Sequence, residues 1–192
     1  MISMPRVPSG LSKRYSIIYA DPPWLYNDTL GGNAKMGAMP YPTMTLDQIK
    51  QLPIAAITNR DAILFLWATM PKLREAFETI EAWGFIYKTC GFCWVKQNPL
   101  GSGIFAGLGR WVQGNAELCL LATHGHPHRI SKSVKQIIIT PRSKHSVKPS
   151  EVRERIIQLM GDVPRIELFA RQKTPGWDVW GNEVTSDIRL SA

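Results

Sequence analysis

Short apolar runs, separated by stretches with helical periodicity, form the main pattern of this chain. The runs suit buried strands in length and composition, and they predict strands at residues 17–20, 62–68, 85–95, 118–122, 136–139 and 166–170. Between several of them, apolar residues recur at helical spacing, which predicts three amphipathic helices. Because strands alternate with helices, the pattern predicts an α/β sheet.

Each predicted helix has a recognisable start or stop signal. Thr45 begins a capping-box pattern ahead of the first helix. Pro71 suits the first turn of the second helix and Gly84 its end. The third helix begins near Pro149 and ends at Gly161. These signals predict where the chain turns between helix and sheet.

The length of the chain suits one domain. Its 192 residues, 44% of them hydrophobic, can form one substantial core but not two. We expect an N-terminal arm at residues 1–14 and a single domain at residues 15–192. No apolar leader and no run of transmembrane length is visible, so we expect a soluble, cytoplasmic protein.

A formal charge of +8 favours a polyanionic partner, although net charge also serves solubility. The surplus is concentrated between residues 124 and 148, which contain no acid. The cations of this basic segment are Arg129, Lys132, Lys135, Arg142, Lys144 and Lys148. We interpret the segment as a nucleic-acid contact; a solvated loop is the alternative.

Cysteines and histidines give weaker signals. Three cysteines cannot form a paired disulfide framework, which agrees with a reducing compartment. Cys90 and Cys93 have redox or zinc spacing, but they lie within the apolar run at 85–95, so we interpret them as strand thiols. The three histidines at 124–128 have no carboxylate or cysteine nearby. We predict that the protein needs no metal.

The most informative segment is Asp21-Pro22-Pro23-Trp24, directly after the first predicted strand. Ligands of open α/β sheets bind beyond the carboxyl ends of strands. The prolines lack N–H donors, so we expect their carbonyls to be free acceptors. An exocyclic amine could donate to the Asp21 carboxylate and the Pro22 carbonyl while its ring stacks on Trp24. The alternative is a simple turn followed by a core aromatic.

Two glycine-containing loops, at residues 27–41 and 101–114, are candidate lids. Glycine permits both mobility and close backbone approach, although a plain surface loop explains the composition equally well. The second loop is not a P-loop, because no Gly-Lys-Ser/Thr follows it. The chain also lacks Gly-x-Gly-x-x-Gly between a strand and a helix, which argues against a nicotinamide-dependent oxidoreductase.

The order of several short motifs resembles one family. They are Asp21-Pro22-Pro23-Trp24, Tyr41-Pro42-Thr43-Met44, Phe65-Leu66-Trp67, Trp94-Val95-Lys96, Lys148-Pro149-Ser150-Glu151, Glu167-Leu168-Phe169-Ala170-Arg171 and the WDVWGNE stretch at 177–183. In this respect the chain resembles the DPPW-type adenine methyltransferases that use S-adenosylmethionine, the family of the catalytic subunit of the eukaryotic mRNA adenosine methyltransferase. The resemblance covers residues 15–183.

The resemblance implies a Rossmann-like methyltransferase sheet with helices on both faces and a permuted motif order, in which the catalytic strand precedes the cofactor strand. It implies that Lys148 contacts the methionine carboxylate of S-adenosylmethionine. Asn182 and Glu183 would bind the ribose hydroxyls, with Arg171 close by and Asp21 also near the cofactor. At positions 173 and 174 the chain has Lys and Thr where some members have His and Asn.

The resemblance further implies direct methyl transfer to the 6-amino group of adenine, with Asp21, Pro22, Pro23 and Trp24 as the catalytic motif. The residues expected to hold the nucleic acid are Trp24, Tyr41, Arg110, Trp111, Lys132, Lys135 and Lys144. A base inside a duplex would have to be flipped out of the stack.

We favour DNA over RNA because small stand-alone relatives resemble bacterial or phage DNA modifiers, as in restriction-modification. An RNA methyltransferase is the first alternative, and a non-catalytic nucleic-acid-binding relative is the second. A homodimer or a partner subunit is compatible with the sequence.

Overall fold

The computed structural model describes residues 13–26, 42–107, 111–142 and 147–190. The strands are β1 (Tyr15–Ala20), β2 (Thr58–Ala68), β3 (Ile86–Gln97), β4 (Ala116–His124), β5 (Ile137–Pro141), β6 (Arg165–Leu168) and β7 (Asp178–Trp180). The helices are α1 (Leu46–Lys50), α2 (Ile54–Ile57), α3 (Leu73–Ala82) and α4 (Glu151–Met160), with a 3-10 turn at Met70–Lys72 before α3.

One seven-stranded sheet has the order β5-β3-β4-β2-β1-β6-β7. Strand β1 is parallel to β2 and β6, β6 is parallel to β7, and β3 is parallel to β5. Strand β4 runs antiparallel to both of its neighbours, β2 and β3. The carboxyl ends of all strands except β4 therefore meet at one edge of the sheet, together with the amino end of β4. We call this the carboxyl edge and the opposite one the amino edge.

Helices cover both faces of the sheet. On one face α1, α2 and α3 bury Ile49, Ile54 and Ile80 completely, and on the other α4 buries Val152 and Ile156. Complete burial of each such side chain contributes about 1.5–3 kcal/mol. The Rossmann-like fold predicted from the sequence is confirmed, including the order in which the Asp21 strand, β1, precedes β6.

The predicted strands and helices are present with shifted ends. The Thr45 capping box forms, since the Thr45 side chain accepts from the Gln48 N–H at 3.2 Å and the Gln48 side chain accepts from the Thr45 N–H at 2.9 Å. Pro71 lies in the 3-10 turn, and Gly161 caps α4 with φ of 84°. The run predicted to continue to residue 170 ends as a strand at Leu168, because Phe169 adopts φ of 60°.

Strand β7 and helix α2 were not predicted. Three and four residues respectively are too short to show a period. Strand β1 begins at the first residue of the predicted domain, while residues 1–12 lie outside the described ranges, so the N-terminal arm stays a prediction. Among the helices that the structure describes, none has the length and apolar composition needed to cross a bilayer.

The cysteines lie in strands, as expected. Cys90 and Cys93 belong to β3, and Cys119 is completely buried in β4. Burial raises the pKa of all three thiols, so the reactive thiolate form is disfavoured. The histidine at position 124 is the last residue of β4.

Candidate active site

Asp21 lies at the carboxyl edge, directly after the central strand β1. The prolines that follow fix the path of the chain. We expected their carbonyls to be free acceptors, but both already accept a backbone hydrogen bond. The Pro22 carbonyl accepts from the Trp24 N–H at 2.9 Å, and the Pro23 carbonyl accepts from the Met44 N–H at 2.9 Å. The backbone folds back here, and a carbonyl oxygen keeps a second lone pair. Pro22 can still accept another donor.

Trp24 is part of the core in this conformation. It is 6% exposed, and its indole N–H donates to the Trp67 carbonyl at 3.2 Å. A backbone bridge also joins Trp24 to Met44. The candidate lid at residues 27–41 lies outside the described residues. The role of Trp24 in holding a base stays a prediction.

Lys148 joins two carboxylates at the carboxyl edge. Its ammonium Nζ lies 2.7 Å from Asp21 Oδ2 and 3.2 Å from Glu117 Oε2. Glu117, at the amino end of β4, also pairs with Lys96 near the end of β3. Four charges from separate parts of the chain, those of Asp21, Lys148, Glu117 and Lys96, therefore meet at the carboxyl edge. The Asp21 side chain keeps 27% of its surface exposed, whereas Lys148 keeps 9% and Glu117 keeps 12%.

This network shifts the pKa values of its members. Burial raises the pKa of Asp21; Lys148 offsets part of that rise, while the nearby negative charge of Glu117 adds to it. Burial alone would lower the pKa of Lys148, but Asp21 and Glu117 outweigh it and raise that pKa. Burial opposes ionisation of Glu117, yet Lys148 and Lys96 hold its pKa below the usual range. Lys148 is therefore a fixed cation, and Asp21 is the carboxyl that most readily takes up a proton.

Aromatic rings fix the position of Lys148. Its Nζ lies 5.4 Å from the centroid of the Trp67 ring, a distance suited to a cation–π contact. The Trp67 indole N–H donates in turn to the Tyr19 hydroxyl at 2.7 Å. Tyr19 and Trp67 are both almost completely buried. The cation is thus held by rigid core side chains as well as by carboxylates.

The ends of β6 and β7 bring Arg171 and Glu183 together, with Arg171 Nε 3.5 Å from Glu183 Oε1. A Cβ on Gly181 would lie 2.2 Å from the Ala170 carbonyl oxygen, so only glycine allows the two segments to approach this closely. The left-handed backbone of Phe169 is costly for a bulky residue. Such strain is typical of functional sites.

Asn182 follows Gly181 and is exposed at the same edge. Asp21 and Arg171 follow the neighbouring strands β1 and β6, and the positive charge of Arg171 acts to lower the pKa of Asp21. The structure therefore brings together Asp21, Lys148, Arg171, Asn182 and Glu183, the residues expected to hold the cofactor.

A third part of the carboxyl edge is formed by the connection between β3 and β4. The Gln97 carbonyl accepts from the Arg142 N–H at 3.2 Å, and the Arg142 guanidinium lies 4.0 Å from the centre of the Phe105 ring. Trp111, in the same connection, is 97% exposed. Arg142, which follows β5, and Trp111 of the connection therefore present a cation and an exposed aromatic ring at the carboxyl edge.

The remaining predicted residues are scattered. Lys132 lines a cavity toward the amino edge, and Lys135 lies in the connection that leads to β5. Tyr41, Arg110 and Lys144 lie outside the described residues. Substrate contacts by these five residues stay predictions.

Glu117 and Lys96 are the site residues that sequence reasoning missed. Both lie in or beside apolar strands, where an isolated charge requires a partner. The sequence contained a signal for this pair, because Glu117 directly precedes the apolar run at 118–122 and Lys96 directly follows the run at 85–95.

Comparison with known proteins identifies the family. The MT-A70 family model matches residues 15–183, which is most of the chain. The chain belongs to the MT-A70 family. The family expected from the sequence motifs is thereby confirmed, and the relatives below are all named as methyltransferases.

The chain is 33% identical to the Type II methyltransferase M.MunI of Mycoplasma sp, over 90% of this chain and 78% of that protein. It is 29% identical to the N(6)-adenosine-methyltransferase MT-A70-like protein of Arabidopsis thaliana, over 92% of this chain but 24% of that protein. It is 28% identical to the human N(6)-adenine-specific methyltransferase METTL4, over 90% of this chain and 38% of that protein. The chain thus spans most of the Mycoplasma protein and a minor part of the eukaryotic ones.

Proposed function

We propose that this protein transfers a methyl group from S-adenosylmethionine to the 6-amino group of adenine in DNA. The observation that carries the proposal is the Asp21 carboxylate, at the carboxyl edge and anchored by Lys148. A carboxylate at such an edge is placed to accept a hydrogen bond from a bound amine. Membership of the MT-A70 family supports methyl transfer as the reaction.

The residues at the carboxyl edge fit the cofactor. Lys148 has three N–H donors, of which Asp21 and Glu117 take two, so one remains for the methionine carboxylate. Glu183, beside Arg171, can accept from two ribose hydroxyls, and Asn182 can both donate and accept. S-adenosylmethionine supplies an activated methyl group that needs no metal or covalent enzyme intermediate.

Asp21 increases the nucleophilicity of the adenine amine. The lone pair of that nitrogen is conjugated with the ring, so the free amine is a poor nucleophile. Oδ2 is held by Lys148, while in the described part of the chain no hydrogen bond reaches Oδ1, which can accept one amine hydrogen. The Pro22 carbonyl can accept the other. The nitrogen lone pair would then form the bond to the methyl carbon while the bond between that carbon and the sulfonium sulfur breaks, so that S-adenosylhomocysteine leaves. The nitrogen would lose one proton, and the acceptor that we propose is Asp21, whose pKa is raised.

The target base must leave its stack to reach Asp21, at a cost of a few kcal/mol. We propose that Trp24 and Tyr41 hold the flipped base. Trp111 and Arg110 would contact flanking nucleotides beside the site, and Lys132, Lys135 and Lys144 would contact phosphates. Stacking on an aromatic ring returns about 1–3 kcal/mol per base.

We favour DNA as the substrate because of the similarity to a Type II methyltransferase. The chain is 33% identical to that Mycoplasma protein, over 90% of this chain, and 29% identical to the Arabidopsis protein named as an adenosine methyltransferase. We further propose that the protein acts in restriction-modification, in the cytoplasm of a bacterium or of a phage-infected cell. We also propose that it works as a homodimer or with a partner subunit.

The test is transfer of a labelled methyl group from S-adenosylmethionine to DNA and RNA of matched sequence, followed by nucleoside analysis. We expect N6-methylated adenine in DNA alone. Label in RNA alone would replace the DNA assignment with an RNA enzyme. Cofactor binding without any label would favour a missing partner subunit or a non-catalytic binder.

The pH dependence of the reaction provides a second test. Because Asp21 must be ionised to accept a hydrogen, kcat/KM should fall as the pH is lowered through its pKa, which lies above the ordinary value of 3.8. In Glu117→Gln the negative charge that helps to raise this pKa is absent, so we expect the midpoint to shift to lower pH. Glu78→Gln, on the surface of α3, is the control and should leave the midpoint in place. An unchanged midpoint in Glu117→Gln would contradict an effect of Glu117 on the pKa of Asp21.

Trp111 provides a test of substrate contact. We expect Trp111→Ala to raise KM for nucleic acid about tenfold with little change in kcat, since one stacked base is worth roughly 1.4 kcal/mol or more. Trp111→Phe should recover most of the affinity. Leu100→Ala removes an equally exposed apolar residue from the same connection and should have no effect. Equal effects of Trp111→Ala and Leu100→Ala would contradict stacking.

A further inference from the structure

A cavity lies on the face of the sheet that α4 covers. Its volume is about 650 Å³, which is within the range of small-molecule sites. Leu121, Leu159 and Met160 contribute an apolar floor, and the lining also includes the cations Lys88, Arg129 and Lys132. We call it the α4 cavity.

The α4 cavity is separate from the candidate active site. Its floor includes Leu159 and Met160, at the carboxyl end of α4, whereas Lys148 of the active site precedes the amino end of the same helix. It extends to Ile63, which pairs with Ile17 near the start of β1, away from Asp21. Ten helical residues span roughly 15 Å. The two sites therefore lie on one face, at opposite ends of one helix.

The charge around the α4 cavity is unbalanced. Lys88, Arg129 and Lys132 are exposed, and none makes an ion pair with another residue that the structure describes. No acidic side chain lines the cavity. By contrast, Lys148 and Arg153 on the same face each pair with a carboxylate. Three unneutralised cations at the opening of an apolar cavity favour a ligand with an anionic group and a flat or apolar body.

Polar groups within the cavity restrict the ligand further. The Gln136 side-chain amide donates to the Cys90 carbonyl at 2.6 Å, which leaves its own oxygen as an acceptor. Thr89 and Thr123 add hydroxyl groups to the lining. Gly91 lacks a side chain at the floor, where a Cβ would lie 3.2 Å from Leu121 and 3.3 Å from Phe65. A planar ring with polar edges suits this lining better than an alkyl chain.

We propose that the α4 cavity binds a nucleotide, with its base over the apolar floor and its phosphate on Lys88, Arg129 and Lys132. The choice of a nucleotide over other aromatic anions rests on the proposed function, because a nucleic-acid substrate would supply one. That nucleotide is not the target adenine. At 3.4 Å per stacked nucleotide, the length of α4 corresponds to about four or five nucleotides between the two sites. A free mononucleotide has the same chemistry.

Thymidine ligands test the proposal without occupying the adenine site. Binding of fluorescently labelled oligothymidylates of graded length is measured by anisotropy, with thymidine monophosphate as a competitor. We expect Lys88→Ala combined with Lys132→Ala to weaken binding at least tenfold. Arg60→Ala combined with Arg189→Ala removes two other exposed cations that do not line the cavity and should change affinity less than twofold. Equal losses in both double variants would overturn the proposal, because any basic surface would then suffice.

A variant that fills the cavity but keeps its cations distinguishes the contribution of the cavity to binding from that of the charges. Leu121→Trp fills the floor and keeps every cation, and we expect it to weaken oligothymidylate binding as strongly as the loss of the two lysines. Thr89→Phe, at an exposed lining position, serves the same purpose if Leu121→Trp does not fold, as judged by thermal melting. Full binding by a folded blocking variant would overturn the proposal.

The binding experiment gives different results for a free mononucleotide and for a nucleotide of the substrate strand. Competition by thymidine monophosphate, lost in the blocking variant, would identify a free nucleotide as a ligand. Binding that requires an oligonucleotide would identify the substrate strand. Asp21→Ala should leave oligothymidylate binding intact. If the wild type binds oligothymidylate through the cavity but transfers no methyl group, the proposed function fails alone; if it transfers methyl groups but its cavity variants bind normally, the cavity proposal fails alone.

Discussion

Replacing Asp21 with asparagine is expected to lower the rate of methyl transfer by about a hundredfold to a thousandfold. The loss of one preorganised hydrogen-bonding group at a reacting centre has effects of this size. Asparagine preserves the shape of the side chain, but it cannot accept a proton and no longer neutralises Lys148, 2.7 Å away. Single-turnover transfer of a labelled methyl group, at saturating cofactor and DNA, measures the chemical step without contributions from binding.

Asp47→Asn is the matched control for Asp21→Asn. Asp47 is exposed in the first turn of α1, so the same chemical change there should leave turnover near the wild-type rate. Asp21→Ala should show the same loss of transfer as Asp21→Asn, with weakened cofactor binding and an intact fold by thermal melting. Normal turnover in either folded Asp21 variant would remove this carboxylate from catalysis.

Those parts of the fold that bury long apolar runs could be predicted from the sequence. Strand β2, for example, contains the uninterrupted apolar run at 62–68, because both of its faces lie under helices. Strand β7 could not be predicted in this way, since three residues do not define a period. The end of β6 depends on a single left-handed residue, Phe169, and no local pattern of side chains encodes that conformation.

The candidate site was predictable only in part. A turn motif after a buried strand identified Asp21 by its position alone. The contact between Asp21 and Lys148 joins residues 127 positions apart, so it results from topology and cannot be seen in local spacing. Only the family resemblance placed Lys148 near the site, and it assigned the lysine to the cofactor rather than to Asp21.

The concentration of positive charge in the basic segment at 124–148 did not indicate where in the fold each of its cations lies. The segment starts where β4 ends, at the amino edge, because β4 is antiparallel to its neighbours. Lys132 therefore lines the α4 cavity, while Arg142 and Lys148, further along the same segment, reach the carboxyl edge. One charged segment thus serves two separate surfaces.

Replacing Lys148 with methionine should lower the free energy of unfolding by roughly 3 kcal/mol near neutral pH. Removal of one partner from a buried ion pair leaves an uncompensated charge, and here Asp21 and Glu117 would be left facing each other. Methionine keeps much of the length and packing of the lysine stem. Urea denaturation of the variant and the wild type measures the difference.

The loss in Lys148→Met should depend on pH in a defined direction. Without the ammonium, the folded-state pKa of Asp21 rises further above the unfolded value, and that of Glu117, which Lys148 helps to lower, rises as well. The penalty is therefore present above those pKa values and is relieved as the pH falls through them. We expect a larger difference from the wild type at about pH 7.5 than at about pH 5.

Lys173→Met is the matched control for Lys148→Met, because Lys173 Nζ lies 2.5 Å from Asp187 Oδ1 in a largely exposed pair. Exposed pairs contribute about 0.2–1 kcal/mol, so the control should lose little stability. Equal losses in both variants, or a loss in Lys148→Met that does not diminish at low pH, would contradict a buried charge network. A large, pH-dependent loss in Lys148→Met with a small loss in Lys173→Met would show that Lys148 both holds the Asp21 carboxylate and stabilises the fold. The stability of Lys148 variants must therefore be measured before any loss of activity is assigned to cofactor binding.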